Sequence, residues 1–248
     1  MTRPKIGLQL YTVRAELEHD FAGVLREVAA IGYAGVEFAW NYGGMAPEAL
    51  AAFLREIGLR VVGLYESPEH LLDPDSDAYA YAKALDCRYV TTGMESRVQT
   101  DWEEAIRTAD RIGAVANSRG LIFTYHHHDQ EFVRIGDDYA VDLLYARTDP
   151  RQVRCELDVY WILRGGEDPV QYLHRYAGRV PLVHLQDHSR IDTRPSAVGD
   201  GVLDVPGVYA AACEVGVDWL IVEQYDCVEP PREQIRRSMA YLRAEGMG

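Results

Sequence analysis

The sequence predicts a closed (β/α)₈ barrel, and three observations carry that prediction. Eight strand-like segments alternate with eight helical ones, and no composition break or low-complexity run interrupts the order. Four of the strand-like runs are apolar along their length and turn abruptly to His, Asp or Glu as they finish. That is the design of a parallel α/β sheet, which gathers its ligands at the C-terminal strand ends. A chain of 248 residues also fits one ordinary barrel domain spanning 1–248. An open doubly wound sheet is the alternative, but no G-x-G-x-x-G follows the first strand to serve a dinucleotide.

In order, residues 6–11 read as the first strand and 21–31 as an amphipathic helix closed by Gly32. A short strand at 35–38 precedes a helix at 47–57, with Pro47 in its first turn and Gly58 after its end. The strand 60–65, the helix 76–85 and the strand 88–93 follow, and Asp101 caps a helix that runs to about Ser118. Next comes GLIFTYHHHDQEF at 120–132, a buried-strand composition that ends in three histidines, an aspartate and a glutamate. A helix near 138–146, the strand 153–159, a helix at 168–176 and the strand 180–185 continue the alternation. A helix at 206–215, the strand 219–223 and a last helix at 232–244 complete it.

Composition narrows the function. Apolar residues make up 48% of the chain, enough for a substantial core, yet no apolar run is long enough to span a bilayer. The N-terminal MTRPKIGLQL enters a strand directly and lacks a signal-peptide core. Cys87, Cys155, Cys213 and Cys227 show no C-x-x-C spacing, so neither a disulfide framework nor a zinc ribbon is expected, and the chain reads as cytoplasmic. A net charge of −14 opposes phosphate backbones and anionic membranes, so neither nucleic acid nor membrane is an expected partner. The two lysines, Lys5 and Lys83, lie away from the predicted pocket, which disfavours Schiff-base chemistry.

At or just past the predicted strand ends stand Glu37, Glu66, Glu95, His126, His128, Glu131, Asp158, His184, Asp187 and Glu223. Residues two apart share a strand face, so His126 and His128 point one way and His127 the other, toward the helices. By the same rule Glu156 pairs with Asp158, and His184 with Gln186. Carboxylates and imidazoles gathered at one pocket make a hard, mixed O/N environment suited to one divalent cation: Mn²⁺ as first choice, with Mg²⁺, Co²⁺ or Zn²⁺ as alternatives.

The ordered set IGLQLYTVR, YHHHDQEF, ELDVYW, VHLQD, GDGVLD and IVEQYD resembles the sugar phosphate isomerase/epimerase branch of the xylose-isomerase-like TIM-barrel superfamily. The resemblance implies a divalent cation held by glutamate, aspartate, histidine and glutamate from the fifth to eighth strands. Carried onto this chain, Asp158, His184 and Glu223 are ligands. Glu131 is the nearest fifth-strand glutamate, with His126 or His128 as its substitutes. Branch members that read HLKD differ from this chain at Gln186.

On that basis Glu131 and Glu223 are the expected acid/base pair as well as ligands. His126, His128, Glu37, Trp161, Asp187 and Arg190 are expected to meet the substrate. The expected reaction is isomerisation or epimerisation of a sugar or keto-polyol, by proton transfer beside a carbonyl through an enediolate. The nearest rival is a dehydratase or lyase of an inosose-like keto-polyol or a keto-glycoside. An apurinic-site endonuclease and a non-catalytic sugar-binding barrel are the more distant ones. The tight turn Gly199–Gly201 and the neighbouring Arg190 and Arg194 are weighed as a loop support and a phosphate contact. Pairing into a homodimer is a further expectation from barrels of this kind.

Overall fold

The computed structural model describes residues 3–93, 101–226 and 229–248. Glu95, singled out from the sequence, lies outside them, as does Cys227. Eight parallel strands close into a barrel, with the last paired to the first. They are β1 (Lys5–Gln9), β2 (Gly35–Ala39), β3 (Arg60–Tyr65), β4 (Tyr89–Thr92), β5 (Ile122–His126), β6 (Val153–Asp158), β7 (Leu182–Leu185) and β8 (Trp219–Val222). The main helices outside them are α1 (Arg14–Ile31), α2 (Pro47–Ile57), α3 (Asp77–Ala84), α4 (Trp102–Ser118), α5 (Ala140–Arg147), α6 (Pro169–Arg175), α7 (Val205–Val215) and α8 (Pro231–Ala244). The predicted (β/α)₈ barrel is therefore the observed fold.

Local chemistry sets the boundaries. Pro47 opens α2, and Gly58 closes it in the left-handed region (φ 75°), its amide reaching the Leu54 and Arg55 carbonyls. Asp101 caps α4 by accepting from the amides of Glu103 and Glu104. The first helix starts at Arg14, earlier than the sequence predicts, but Asp20 breaks it with φ −149° and caps its second half through the Gly23 amide. The predicted start at residue 21 marks that second half. Two short helices, Pro68–Leu72 and Val159–Arg164, add to the predicted set.

Outward-facing strand residues such as Phe38, Leu64, Phe123, Tyr125, Leu157 and Val183 pack under the helices in the main core. The barrel interior is filled in layers. At the N-terminal end Val62, Tyr89, Leu182, Trp219 and Ile221 form an apolar plug. The Trp219 ring fits because β1 and β2 carry glycine there: a Cβ at Gly35 would lie 3.0 Å from that ring and 2.9 Å from the Arg60 carbonyl. Toward the C-terminal end the interior turns polar. Thr91 and Thr124 bond each other at 2.6 Å, and buried Glu37, Glu156, His126, Asp158 and His184 lie beyond them.

Candidate metal centre at the C-terminal mouth

Each member of the polar layer is delivered by strand alternation. Glu156 and Asp158 are two apart on β6, with Leu157 between them turned to the core. His126 ends β5, His184 lies on β7 opposite Asp158, and Glu223 follows β8. One donor atom from each of His126, Asp158, His184 and Glu223 lies within 4.8 Å of the others. Donors about 2.0–2.2 Å from one ion stand roughly 3.4 Å apart in a tetrahedral shell, so the widest pair would close by no more than about 1.5 Å on binding.

The local hydrogen bonding fits a cation. Asp158 caps the helix Val159–Arg164 with one oxygen, Oδ1, which accepts from the Tyr160 and Trp161 amides at 2.8 and 3.2 Å. Its other oxygen, Oδ2, is buried and accepts no hydrogen bond, as is Nδ1 of His126. Nδ1 of His184 stands 2.9 Å from Glu223 Oε2 and 3.8 Å from Asp158 Oδ2, so a proton there occupies the region a metal would take. On the far side of the ring, Nε2 is 2.8 Å from Glu37 Oε2 and 3.2 Å from Glu156 Oε1.

Electrostatics follow from packing this many ionisable groups away from water. Burial, with the Glu156 charge added, pushes the Glu37 carboxyl up to about 8, although His184 opposes the shift. Burial likewise pushes Asp158 up to about 8, with His184 opposing and Glu223 reinforcing. Burial disfavours a charged His184, but Glu223 and Glu156 outweigh it and hold that imidazole well above its usual range. Burial and the charge of His184 keep His126 well below its own, as a neutral ligand would be.

Glu37 is aimed at His184 by two features. The β2–β3 register shifts between Val36 and Glu37. Gly63 opposite leaves the room, since a Cβ there would stand 2.8 Å from Glu37 Oε1. Gln9 Nε2 donates to the same Glu37 oxygen that faces His184, at 2.6 Å. A carboxylate on the second ring nitrogen fixes the imidazole of a metal ligand. Glu37→Gln is therefore expected to weaken divalent-cation binding about 10–100-fold, measured by calorimetric titration.

The structure brings four sequence-predicted residues together and moves others elsewhere. Glu131 does not join the cluster. Its oxygens accept from the Tyr125 hydroxyl and the His128 amide, both at 3.0 Å, because Asp129–Phe132 folds as a 3₁₀ turn that sends the side chain back behind β5. Burial pushes that carboxyl up to about 7, against those bonds. His126 stands in the fifth-strand place instead. His127 faces away as expected, packing on Phe132, and its Nε2 accepts from the Asp158 amide at 3.2 Å. Burial holds it down to about 3, so it stays a neutral acceptor.

Asp187 is not available to a substrate. It is fully buried and accepts from the amides of His188, Gly199, Gly201 and Leu203 at 2.8–3.1 Å. It thereby folds the glycine turn onto itself; a Cβ at Gly201 would come within 2.1 Å of its Oδ1. Asp187→Ala should leave four amides without their acceptor and cost about 2–4 kcal/mol of stability, read from denaturant unfolding. Arg190 is exposed and does not line the cavity, and Arg194 pairs with Asp192. Glu66 serves Tyr42 and His70 away from the cluster.

A cavity of about 340 Å³ opens over the cluster, lined by His126, His128, His184, Glu223 and an aromatic rim of Tyr11, Trp40, Tyr65 and Tyr225. Trp40 is half-exposed and held at φ 44°, an unusual backbone for a non-glycine residue. Trp161 packs against His128 and Tyr225, with its indole N–H buried and unpaired. Gln186 is fully buried with neither amide atom bonded. Gln9 and Tyr225 were not singled out from the sequence. Gln9 was accessible there through its spacing from Gly7 on the inward face of β1.

A closed parallel barrel with its polar groups gathered at the C-terminal mouth defines a class, the TIM barrels, and here the buried imidazoles and carboxylates at that mouth could hold a metal ion. A family model described as xylose isomerase-like TIM barrel matches residues 25–245, and the chain belongs to that family. An inosose dehydratase from Geobacillus kaustophilus is 25% identical over 88% of this chain and 85% of its own length. Among solved structures, a sugar phosphate isomerase/epimerase from Parabacteroides distasonis superposes with a TM-score of 0.84 at 24% identity, covering 100% of this chain and 96% of that one. The 3-keto-D-glucoside 4-epimerase of E. coli superposes at 0.77 with 15% identity, covering 98% and 100%.

Proposed function

We propose that the chain is a divalent-metal-dependent enzyme that moves a proton beside the carbonyl of a sugar or keto-polyol, with isomerisation or epimerisation as the outcome. The single observation that carries this reading is the convergence of His126, Asp158, His184 and Glu223 under a cavity of sugar size. These four would hold the cation, and Glu37 would orient His184. Two imidazoles with two carboxylates suit Mn²⁺, Co²⁺ or Zn²⁺ better than the all-oxygen shell that Mg²⁺ prefers. When bound, the ion polarises the substrate carbonyl and acidifies the neighbouring C–H.

The remaining chemistry belongs to side chains. Glu223 lines the cavity and takes the proton from carbon. His128 lines the same cavity outside the four-residue group and exchanges a proton with the substrate oxygen, carrying the reaction through an enediolate. Trp40 and Tyr65 give the sugar ring an apolar face to stack on. Positioned acid/base groups of this kind contribute roughly 10²–10⁴-fold.

A second outcome of the same first step is loss of a β-hydroxyl as water, and the similarity to inosose dehydratases favours it. The test is a panel of keto-sugars and inososes in D₂O with the metal-loaded protein. Deuterium incorporation with the heavy-atom skeleton conserved supports the isomerase/epimerase reading, and loss of water from the product supports the dehydratase. No exchange into any substrate, with metal bound, would exclude both.

A further inference from the structure

We propose that the opposite, N-terminal mouth of the barrel is a second binding site, for a compact multiply charged oxyanion of the polyphosphate class. A cavity of about 670 Å³ opens there, at the start of β1, β3, β4 and β8. Five cationic side chains line it (Arg3, Lys5, Arg55, Arg60 and Arg88) against two aspartates, Asp86 and Asp218, a local balance of +3. The chain as a whole carries −14, so this concentration of positive charge is opposite in sign to the net charge of the molecule.

The cations are not neutralised by one another's neighbours. Among the described residues Lys5, Arg55 and Arg60 make no ion pair, whereas Arg88 leans on Asp218 at 3.5 Å. Asp218 also receives the Tyr89 hydroxyl. Aromatic rings of the apolar plug form the floor. Lys5 Nζ lies 5.2 Å from the Trp219 ring centre and Arg88 Cζ lies 5.5 Å from that of Tyr89, which holds both cations over the cavity.

Like charges gathered in one concavity repel, and an anion relieves that repulsion while the low-dielectric walls focus the field on it. Four of the five cations are arginines, whose planar forks match the oxygens of a phosphate group. A ligand carrying several charges in a small volume answers a +3 cavity better than a single carboxylate does.

The site is independent of the metal centre, so its test separates the two. Calorimetric titration of the full-length protein with inorganic pyrophosphate is expected to give saturable 1:1 binding that perturbs Trp219 emission. Arg55→Gln/Arg60→Gln should weaken it at least tenfold; both side chains are exposed and unpaired, and circular dichroism would verify that the variant is folded. Asp158→Ala, which disrupts the metal centre, should bind pyrophosphate as the wild type does. The proposal is overturned by absence of saturable binding, by binding undiminished in the arginine variant, or by binding lost in Asp158→Ala. Citrate binding as tightly as pyrophosphate would overturn the phosphate assignment.

Discussion

Glu223→Gln is expected to abolish turnover and to release the metal. The carboxylate contributes twice in this account, as a ligand and as the base facing the cavity. The amide keeps the shape but cannot accept the substrate proton, and being neutral it brings the cation no charge. Loss of the acid/base function alone is worth roughly 10²–10⁴-fold in rate. The weakened site should also lose metal on dialysis, seen as a lower metal content per chain. His184 would at the same time lose the carboxylate charge facing its Nδ1 at 2.9 Å, so its high affinity for a proton should fall as well. Wild-type activity in this variant would exclude Glu223 from both roles.

Divalent-cation affinity should climb steeply with pH up to about 8. Asp158 and Glu37 are both pushed up to about 8 without metal, and His184 is held protonated by the surrounding carboxylates. A cation entering the cluster must displace protons, and each proton released makes the apparent affinity rise about tenfold per pH unit. Between pH 6 and 8 a gain on the order of 10²-fold or more is expected, measured by Mn²⁺ titration in buffers of different ionisation enthalpy, which also counts the protons.

The same groups set the pH dependence of metal-free stability. A carboxyl whose folded value is raised binds its proton more tightly in the folded state. Its contribution is fully present below the ordinary carboxylate range and is lost as pH rises toward about 8. The chelator-treated protein should therefore melt at progressively lower temperature from about pH 7 to pH 8, above the range in which the depressed His126 and His127 oppose the trend. The metal-loaded protein should hold steady, because the cation replaces the protons. A melting temperature of the stripped protein that increases over this interval would contradict the electrostatic picture.

The barrel was legible because alternation of short apolar runs with capped amphipathic helices is a chain-wide signal. Asp158, His184 and Glu223 were legible for a related reason: each interrupts an apolar strand where it leaves the sheet. The fifth strand was harder. Glu131 has the residue type of the expected ligand, but a 3₁₀ turn after His128 directs it to Tyr125 and a backbone amide. Alternation already favoured His126, which shares the inward face with Thr124.

Asp187 misled differently, since four backbone amides that fold back from beyond a loop claim its carboxylate. No sequence period reveals them. The β2 bulge that turns Glu37 toward His184 depends on pairing with β3 and is equally silent in one dimension. The exposure of Arg190 follows from the course of the same β7–α7 loop.

The central claim is that His126, Asp158, His184 and Glu223 bind one cation together. Anomalous diffraction from crystals soaked in Mn²⁺ tests it most directly. The account predicts a single strong peak about 2.0–2.3 Å from a nitrogen of His126 and of His184 and from a carboxylate oxygen of Asp158 and of Glu223, with Glu131 out of reach. A peak coordinated by Glu131 in place of His126, or no peak among the four, would contradict it.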